Sequence, residues 1–254
     1  MGCASNPFSL SGKTILVTGA SSGIGRATAI LCSQMGAQVV VTGRHEVRLQ
    51  ESFGDLRGDG HRQIPADLTD PESISRLVDN VPILDGVMHC AGIGFRKLSK
   101  SINKEDLVAV MDANFNSAVL LQSSLLAKKK VGKSASIIFV SSRAADVPSV
   151  ANGIYSASKS ALKSYAQCLA LELAPRNIRV NCICPAIVRT PLWDPLINDG
   201  GITEDDLAQT QSQYPLKRFG RPEDIANLAV FLLSDASSWM TGSSIDITGG
   251  SITL

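Results

Sequence analysis

Short runs of Val, Ile, Leu and Thr alternate along the whole chain with longer stretches in which apolar residues return every three or four positions. A short continuous apolar run suits a strand buried on both faces, and the wider spacing suits a helix with one buried stripe. The pattern predicts strands at Thr14–Thr18, Gln38–Thr42, Arg62–Ala66, Gly86–His89, Ser136–Ser141, Arg179–Cys184 and Ser244–Ile247. It predicts helices at Gly23–Met35, Glu46–Leu56, Pro71–Asp79, Lys104–Lys129, Ile154–Leu173 and Pro222–Leu233. Strands and helices in alternation form a parallel sheet, and right-handed crossovers put the helices on both of its faces. The expected class is therefore α/β, a doubly wound sheet of about seven strands that binds ligands beyond the carboxyl ends of its strands.

No linker, repeat or charge block divides the pattern, so a single domain over residues 1–254 is expected. Arg189–Tyr214 is poorly patterned, with Pro191, Pro195, Gly200 and Gly201 as breakers. A long aperiodic stretch in a compact fold is more often a functional lid than a passive connection, which makes 189–215 the expected substrate loop. Residues 1–10 lack the apolar segment of a secretory signal and are expected to form a frayed leader.

Composition then removes function classes. Lys and Arg total 24 against 23 Asp and Glu, a net charge of +1, which argues against nucleic-acid or membrane partners held by bulk charge. No apolar run is long enough for a membrane span. The six cysteines fall mostly in apolar segments without a C-x-x-C pair, and with three histidines the usual metal-ligand spacings are absent. Free buried thiols in a reducing, cytoplasmic compartment are expected, with no metal.

The first strand runs into Thr18-Gly19-Ala20-Ser21-Ser22-Gly23-Ile24-Gly25 and then a helix. Gly19 lets the chain leave the strand sharply, Gly23 admits a diphosphate close to the backbone, and Gly25 lets the helix pack tightly. The free N–H groups and dipole of that helix favour phosphate. After the second strand the chain reads Thr42-Gly43-Arg44, a cation where NAD-binding folds usually carry an acid for the ribose 2′-hydroxyl. NADP(H) is favoured, with NAD(H) still open. Asp67-Leu68, after the third strand, is placed either to face an adenine amino group or to cap the Pro71 helix.

Tyr155 and Lys159 open a long helix at i, i+4 and so share a face, where an ammonium can stabilise phenolate. Ser142 ends the fifth strand at the ligand edge, and a hydroxyl there can bond a carbonyl oxygen. Adjacent Ser141 faces the other side by strand alternation. Asn114 interrupts an apolar helix and needs buried partners, either for a local kink or within a polar relay.

Taken together, Thr18–Gly25, Cys90-Ala91-Gly92, Asn114, Ser142, Tyr155-x-x-x-Lys159, Arg179-Val180-Asn181 through Pro185 and Arg218–Asp224 stand in the order and spacing of the short-chain dehydrogenase/reductase family, and nearly the whole chain resembles it. Within the family the likeness is strongest to 3-oxoacyl-(acyl-carrier-protein) reductases. The resemblance implies a Rossmann-type fold and hydride transfer between a nicotinamide cofactor and a carbonyl or secondary alcohol. Sugar or polyol, steroid and small-ketone substrates stay open.

It further implies that Tyr155 is the general acid, Lys159 lowers its pKa and holds the nicotinamide ribose, Ser142 orients the carbonyl, and Asn114 anchors a relay water. The cofactor would rest on Gly19, Ser21, Ser22, Gly23, Ile24 and Gly25, on Arg44, Asp67 and Leu68, on Cys90, Ala91 and Gly92, and on Pro185, Val188 and Thr190. His89-Cys90 stands where the family usually has Asn-Asn, and Pro185-Ala186 where it has Pro-Gly. A non-enzymatic dinucleotide sensor would be expected to lack Tyr155 or Lys159, and an extended-family epimerase would want closer glycine spacing. Leu121, Leu125, Leu162, Leu169 and Leu173 are more apolar residues than one face need bury, and with the family's habit of pairing through these helices they suggest a homotetramer or homodimer.

Overall fold

The computed structural model describes residues 6–193 and 203–251. Seven parallel strands form one sheet in the order β3-β2-β1-β4-β5-β6-β7. They are β1 (Thr14–Thr18), β2 (Gln38–Thr42), β3 (Arg62–Gln63), β4 (Leu84–His89), β5 (Val131–Val140), β6 (Arg179–Pro185) and β7 (Ser244–Ile247). The helices are α1 (Gly23–Gln34), α2 (Glu46–Gly54), α3 (Pro71–Asn80), α4 (Lys104–Met111), α5 (Ser117–Ala127), α6 (Gly153–Leu173), α7 (Glu204–Gln213) and α8 (Pro222–Leu233). Leu77, Leu121, Leu125, Leu162 and Leu169 from α3, α5 and α6 pack on one face of the sheet. Ala29, Cys32, Leu49, Ile225 and Ala229 from α1, α2 and α8 pack on the other. The chain steps from β1 outward to β2 and β3, then returns past β1 to β4, so the crevice at the carboxyl ends opens between β1 and β4.

Several expectations are corrected. β3 has two residues instead of five because Pro65 has no N–H to donate, although Ile64 and Ala66 still donate to Val41 O and Gly43 O at 3.0 and 3.3 Å. The helix expected over Lys104–Lys129 is divided by a π-helical turn at Asp112–Asn116, centred on Asn114. α7 lies within the stretch read as aperiodic, and its start is a capping box between Thr203 and Asp206. Part of that stretch, 194–202, lies outside the described residues.

The leader is tied to the fold from Pro7 and buried at Leu10. Leu10 is fully buried and donates its N–H to Met35 O at 3.0 Å, while Pro7 O accepts from Ala236 N. Residues 1–5 lie outside the described residues.

The five leucines from which self-association was expected are all buried in the subunit's own core, because α5 and α6 lie flat on the sheet. The exposed apolar side chains are instead Leu107 and Val108 on α4, Leu120 on α5 and Leu171 on α6, with Trp239 98% exposed beyond α8. Cys32, Cys182 and Cys184 are buried free thiols, but Cys168 is exposed.

Candidate functional site

Glycine shapes the floor of the crevice. Gly19 turns with φ +63°, and a Cβ on it would stand 3.0 Å from the Ala91 backbone. A Cβ on Gly25 would stand 2.3 Å from Gly19 O, inside van der Waals contact, so the first turn of α1 is seated on the β1–α1 loop itself. Gly23, at φ +51°, faces Thr190 across the crevice, where a Cβ would be 3.1 Å from the threonine methyl. The fully buried Thr18 hydroxyl accepts from Cys90 N and Ala91 N at 3.0 and 3.1 Å, fastening the ends of β1 and β4 together. Ser22 caps α1 in extended conformation without a side-chain bond, which leaves the helix N–H groups available.

The resulting cleft of about 1090 Å³ is lined by Gly19, Ser21, Ser22, Gly23, Ile24, Gly25, Arg44, Asp67, Leu68, Cys90, Ala91, Gly92, Ser142, Tyr155, Lys159, Pro185, Val188 and Thr190. The structure thus brings every site residue named from the sequence to one surface, apart from Asn114. A Cβ on Gly92 would touch Asn114 Oδ1 at 2.8 Å and lie 3.5 Å from Lys159 Nζ, so Asn114 stands directly behind the wall. Its Oδ1 accepts from Ile93 N at 2.7 Å, and its Nδ2 donates to Ile93 O and Ser158 Oγ, both at 3.1 Å. Both side-chain donors are therefore spent inside the protein. The side chain fixes the turn after β4.

Lys159 is buried and donates from Nζ to Val140 O at 3.0 Å. Burial pushes its ammonium down to about 8. The same burial raises the Tyr155 phenol above its ordinary value, and a hydrogen bond with Ser142 opposes that rise. The Lys159 ammonium lies 5.8 Å from the centre of the Tyr155 ring. Ser142 Oγ also accepts from Ala144 N at 3.1 Å. Ser141 is buried and donates to Lys159 O in α6 at 2.8 Å.

At the other end of the cleft Arg44 is exposed, and no ion pair engages it among the described residues. Arg48 also lines the cleft, one helical turn on, and was missed although the i, i+4 spacing from Arg44 was legible. Asp67 does not cap the Pro71 helix. Asp70 does, accepting from Glu72 N and Ser73 N. Asp67 accepts from Thr69 N and Oγ1 at 2.9 and 2.7 Å, and these bonds, aided by Arg44, hold its carboxyl below the usual range. Burial raises the Cys90 thiol far above its ordinary value, which removes it as a nucleophile at neutral pH.

Residues 95, 96 and 147–149 and the α7 side chains Leu207 and Thr210 complete the lining, with Tyr214 just beyond that helix. Tyr214 is fully buried, accepts from Ile187 N at 3.2 Å and meets Phe219 edge-on at 5.4 Å. The capping pattern Thr203-x-x-Asp206 was the signal that could have revealed this helical part of the wall.

A seven-stranded doubly wound sheet with a glycine-cradled helix N-terminus and a Ser, Tyr and Lys cluster at its switch point defines a dinucleotide-dependent oxidoreductase. A family model described as Enoyl-(Acyl carrier protein) reductase matches residues 19–251. The chain is 33% identical over 241 residues to a 3-oxoacyl-(acyl-carrier-protein) reductase of Rickettsia felis, covering 95% of this chain and 97% of that one. It is 32% identical to a tropinone reductase homologue of Arabidopsis thaliana over 250 residues, 96% of this chain and 91% of the other. A solved NAD(P)-dependent relative from Beutenbergia cavernae with NADP bound at low occupancy superposes with a TM-score of 0.85 at 30% identity, over 96% of this chain and 98% of that one. The protein belongs to the short-chain dehydrogenase/reductase family and is an oxidoreductase.

Proposed function

We propose that the protein is an NADPH-dependent carbonyl reductase, working by the chemistry of Ser142, Tyr155 and Lys159, with a 3-oxoacyl thioester as the favoured substrate and sugar, polyol, steroid or small-ketone substrates as the alternative. The observation that carries this reading is the convergence of these three side chains with the glycine cradle on one cleft. The cofactor fits the residues present: a Cβ at Gly19 or Gly25 would fill the cradle, and the N-terminus of α1 is free to take a diphosphate. When bound, the nicotinamide supplies the hydride. Ser142 then holds the carbonyl oxygen and Tyr155 delivers its proton. Lys159, charged at neutral pH, would hold the ribose and stabilise the phenolate left when the proton departs, beside the wall that Asn114 makes rigid. Ile24, Leu68, Ala91 and Pro185 would flank the cofactor, and Val188 and Thr190 would meet its carboxamide.

NADP is favoured over NAD because Arg44 and Arg48 bring two cations, unpaired among the described residues, to the end of β2, where an acid would repel a 2′-phosphate. A relative with bound NADP supports this. Arg44→Ala should weaken NADPH binding by about 10- to 100-fold, as loss of a charge-assisted contact does, and NADH by less than about threefold. Equal loss for both, in a fluorescence titration, refutes the 2′-phosphate role. A screen of NADPH consumption over thioester, sugar, steroid and small-ketone panels tests the substrate.

Among the described residues no helix is long and apolar enough to cross a membrane. A cytoplasmic location suits the free thiols. Assembly into a tetramer or dimer would cover Leu120, Leu171 and Trp239, and a monomeric mass by light scattering at micromolar concentration would defeat it. The segment 189–215 is proposed as the substrate loop, α7 being its described helical part.

A further inference from the structure

Beyond Tyr155 the cleft wall turns apolar, with Phe95, Val147, Pro148, Leu192 and Leu207. Three charged side chains also reach this half: Arg143, Asp206 and Arg96. Arg143 is committed to Asp246 at 2.8 Å. Asp206 closes the α7 capping box, accepting from Thr203 N and Oγ1 at 2.9 and 2.6 Å. Arg96 is different. It has no carboxylate partner among the described residues, and its guanidinium makes one long hydrogen bond, from Nη2 to Val150 O at 3.2 Å. A guanidinium has five N–H donors in a fixed fork, so most of them are left for a ligand.

The backbone carrying Arg96 is held in place. Lys97 N donates to Ala151 O at 2.7 Å, and Lys97 Nζ pairs with Asp106. The first tie joins the loop after β4 to the loop that enters α6 and the second joins it to α4, so Arg96 stands beside the start of the helix that carries Tyr155. That helix has no acidic residue in its first turn to compete for the guanidinium or repel an anion. Leu192 closes the wall nearby, where a Cβ on Gly94 would touch it at 3.4 Å. A cation with no counter-ion, on an anchored loop at the mouth of an apolar wall, is placed to receive the charged end of a molecule whose uncharged part lies in the cleft.

We propose that Arg96 determines substrate specificity, and that the carbonyl compound turned over here carries an anionic group, carboxylate or phosphate, at the end remote from its carbonyl. This rests on the carbonyl-reductase reading above. The anion has two sources, a free oxo acid or the phosphate of a pantetheine thioester, and matched pairs separate them. One pair is the 3-oxobutanoyl thioesters of 4′-phosphopantetheine and pantetheine, which share the whole arm and differ only in the phosphate. The other is 5-oxohexanoate and its methyl amide.

For the true source, Arg96→Ala should raise KM for the charged member at least about tenfold and leave kcat and the neutral member within about twofold, with Arg96→Lys recovering part of the loss. NADPH affinity, measured by fluorescence, should stay within about twofold for both variants. A like loss for charged and neutral members, or no loss in either pair, overturns the assignment. Calorimetry with hexanoate and hexan-1-ol on the NADPH complex supplies a readout that needs no turnover. A wild-type preference for hexanoate that Arg96→Ala abolishes supports the proposal, and equal binding of the two overturns it. Neither calorimetric result touches the reductase reading, which stands or falls on Tyr155.

Discussion

Tyr155→Phe should lower kcat/KM for carbonyl reduction by about 10³-fold, equivalent to about 4 kcal/mol of transition-state stabilisation, and leave NADPH affinity within about threefold. The substitution deletes one hydroxyl and keeps the ring that packs beside Lys159. What it removes is the proton donor and the partner of Ser142. The size of the expected loss follows from the surroundings. Burial alone raises the phenol, so Tyr155 is protonated at neutral pH and ready to act as an acid, and it gains from Ser142 the hydrogen bond that opposes the rise. No other described acid lining the cleft beside Lys159 can substitute, because burial drives the Cys90 thiol upward. Steady-state kinetics with a reducible ketone, alongside a fluorescence titration of NADPH, measures both quantities. Turnover within tenfold of the unmodified protein would sink the assignment of Tyr155 as the acid.

Gly25→Ala is expected to be nearly as damaging through an unrelated cause. The added methyl would stand 2.3 Å from Gly19 O, and the obstacle is backbone, so no side-chain rotation can relieve the contact. Either α1 or the β1–α1 loop must move, and overpacking of this kind costs about 1–3 kcal/mol. Movement of either part also displaces the N–H groups meant for the diphosphate. Dinucleotide affinity should fall at least about 30-fold, the equivalent of about 2 kcal/mol. Gly54→Ala is the control, since a Cβ there meets nothing within 4 Å, and it should bind NADPH within about twofold of the parent. If Gly25→Ala binds as well as the control, the cradle does not hold the cofactor. A thermal melt of both variants separates loss of binding from loss of folding.

These two expectations differ in how far the sequence leads toward them. Tyr155 and Lys159 fall on one helix at i, i+4, and a helix of known pitch fixes their shared face without further information. Glycine spacing after a strand likewise indicates a cradle, but the identity of the obstructing atom is invisible, because Gly19 and Gly25 meet only when the turn is closed. The phenol's pKa is further out of reach. Local spacing puts Lys159 beside the phenol, but it shows neither the burial that raises the phenol nor Val140 O of β5, to which the ammonium donates.

The chain pattern by itself determined the α/β class, seven strands, most of the helices between them and the order of the chemistry along the chain, since period and glycine placement are local properties. It also placed Ser142 at the cleft edge just past β5, because the end of an apolar run is local too. Tertiary structure alone decided the rest. The π turn around Asn114 depends on Ile93 and Ser158, which lie 21 and 44 residues away in sequence. The leucines of α5 and α6 became core rather than interface because the sheet beneath them is wide enough to cover them. Arg96 became a site candidate only when its loop was tied to Ala151 and an apolar wall assembled beneath it. Contacts of this kind join residues distant in sequence, and no local period records them.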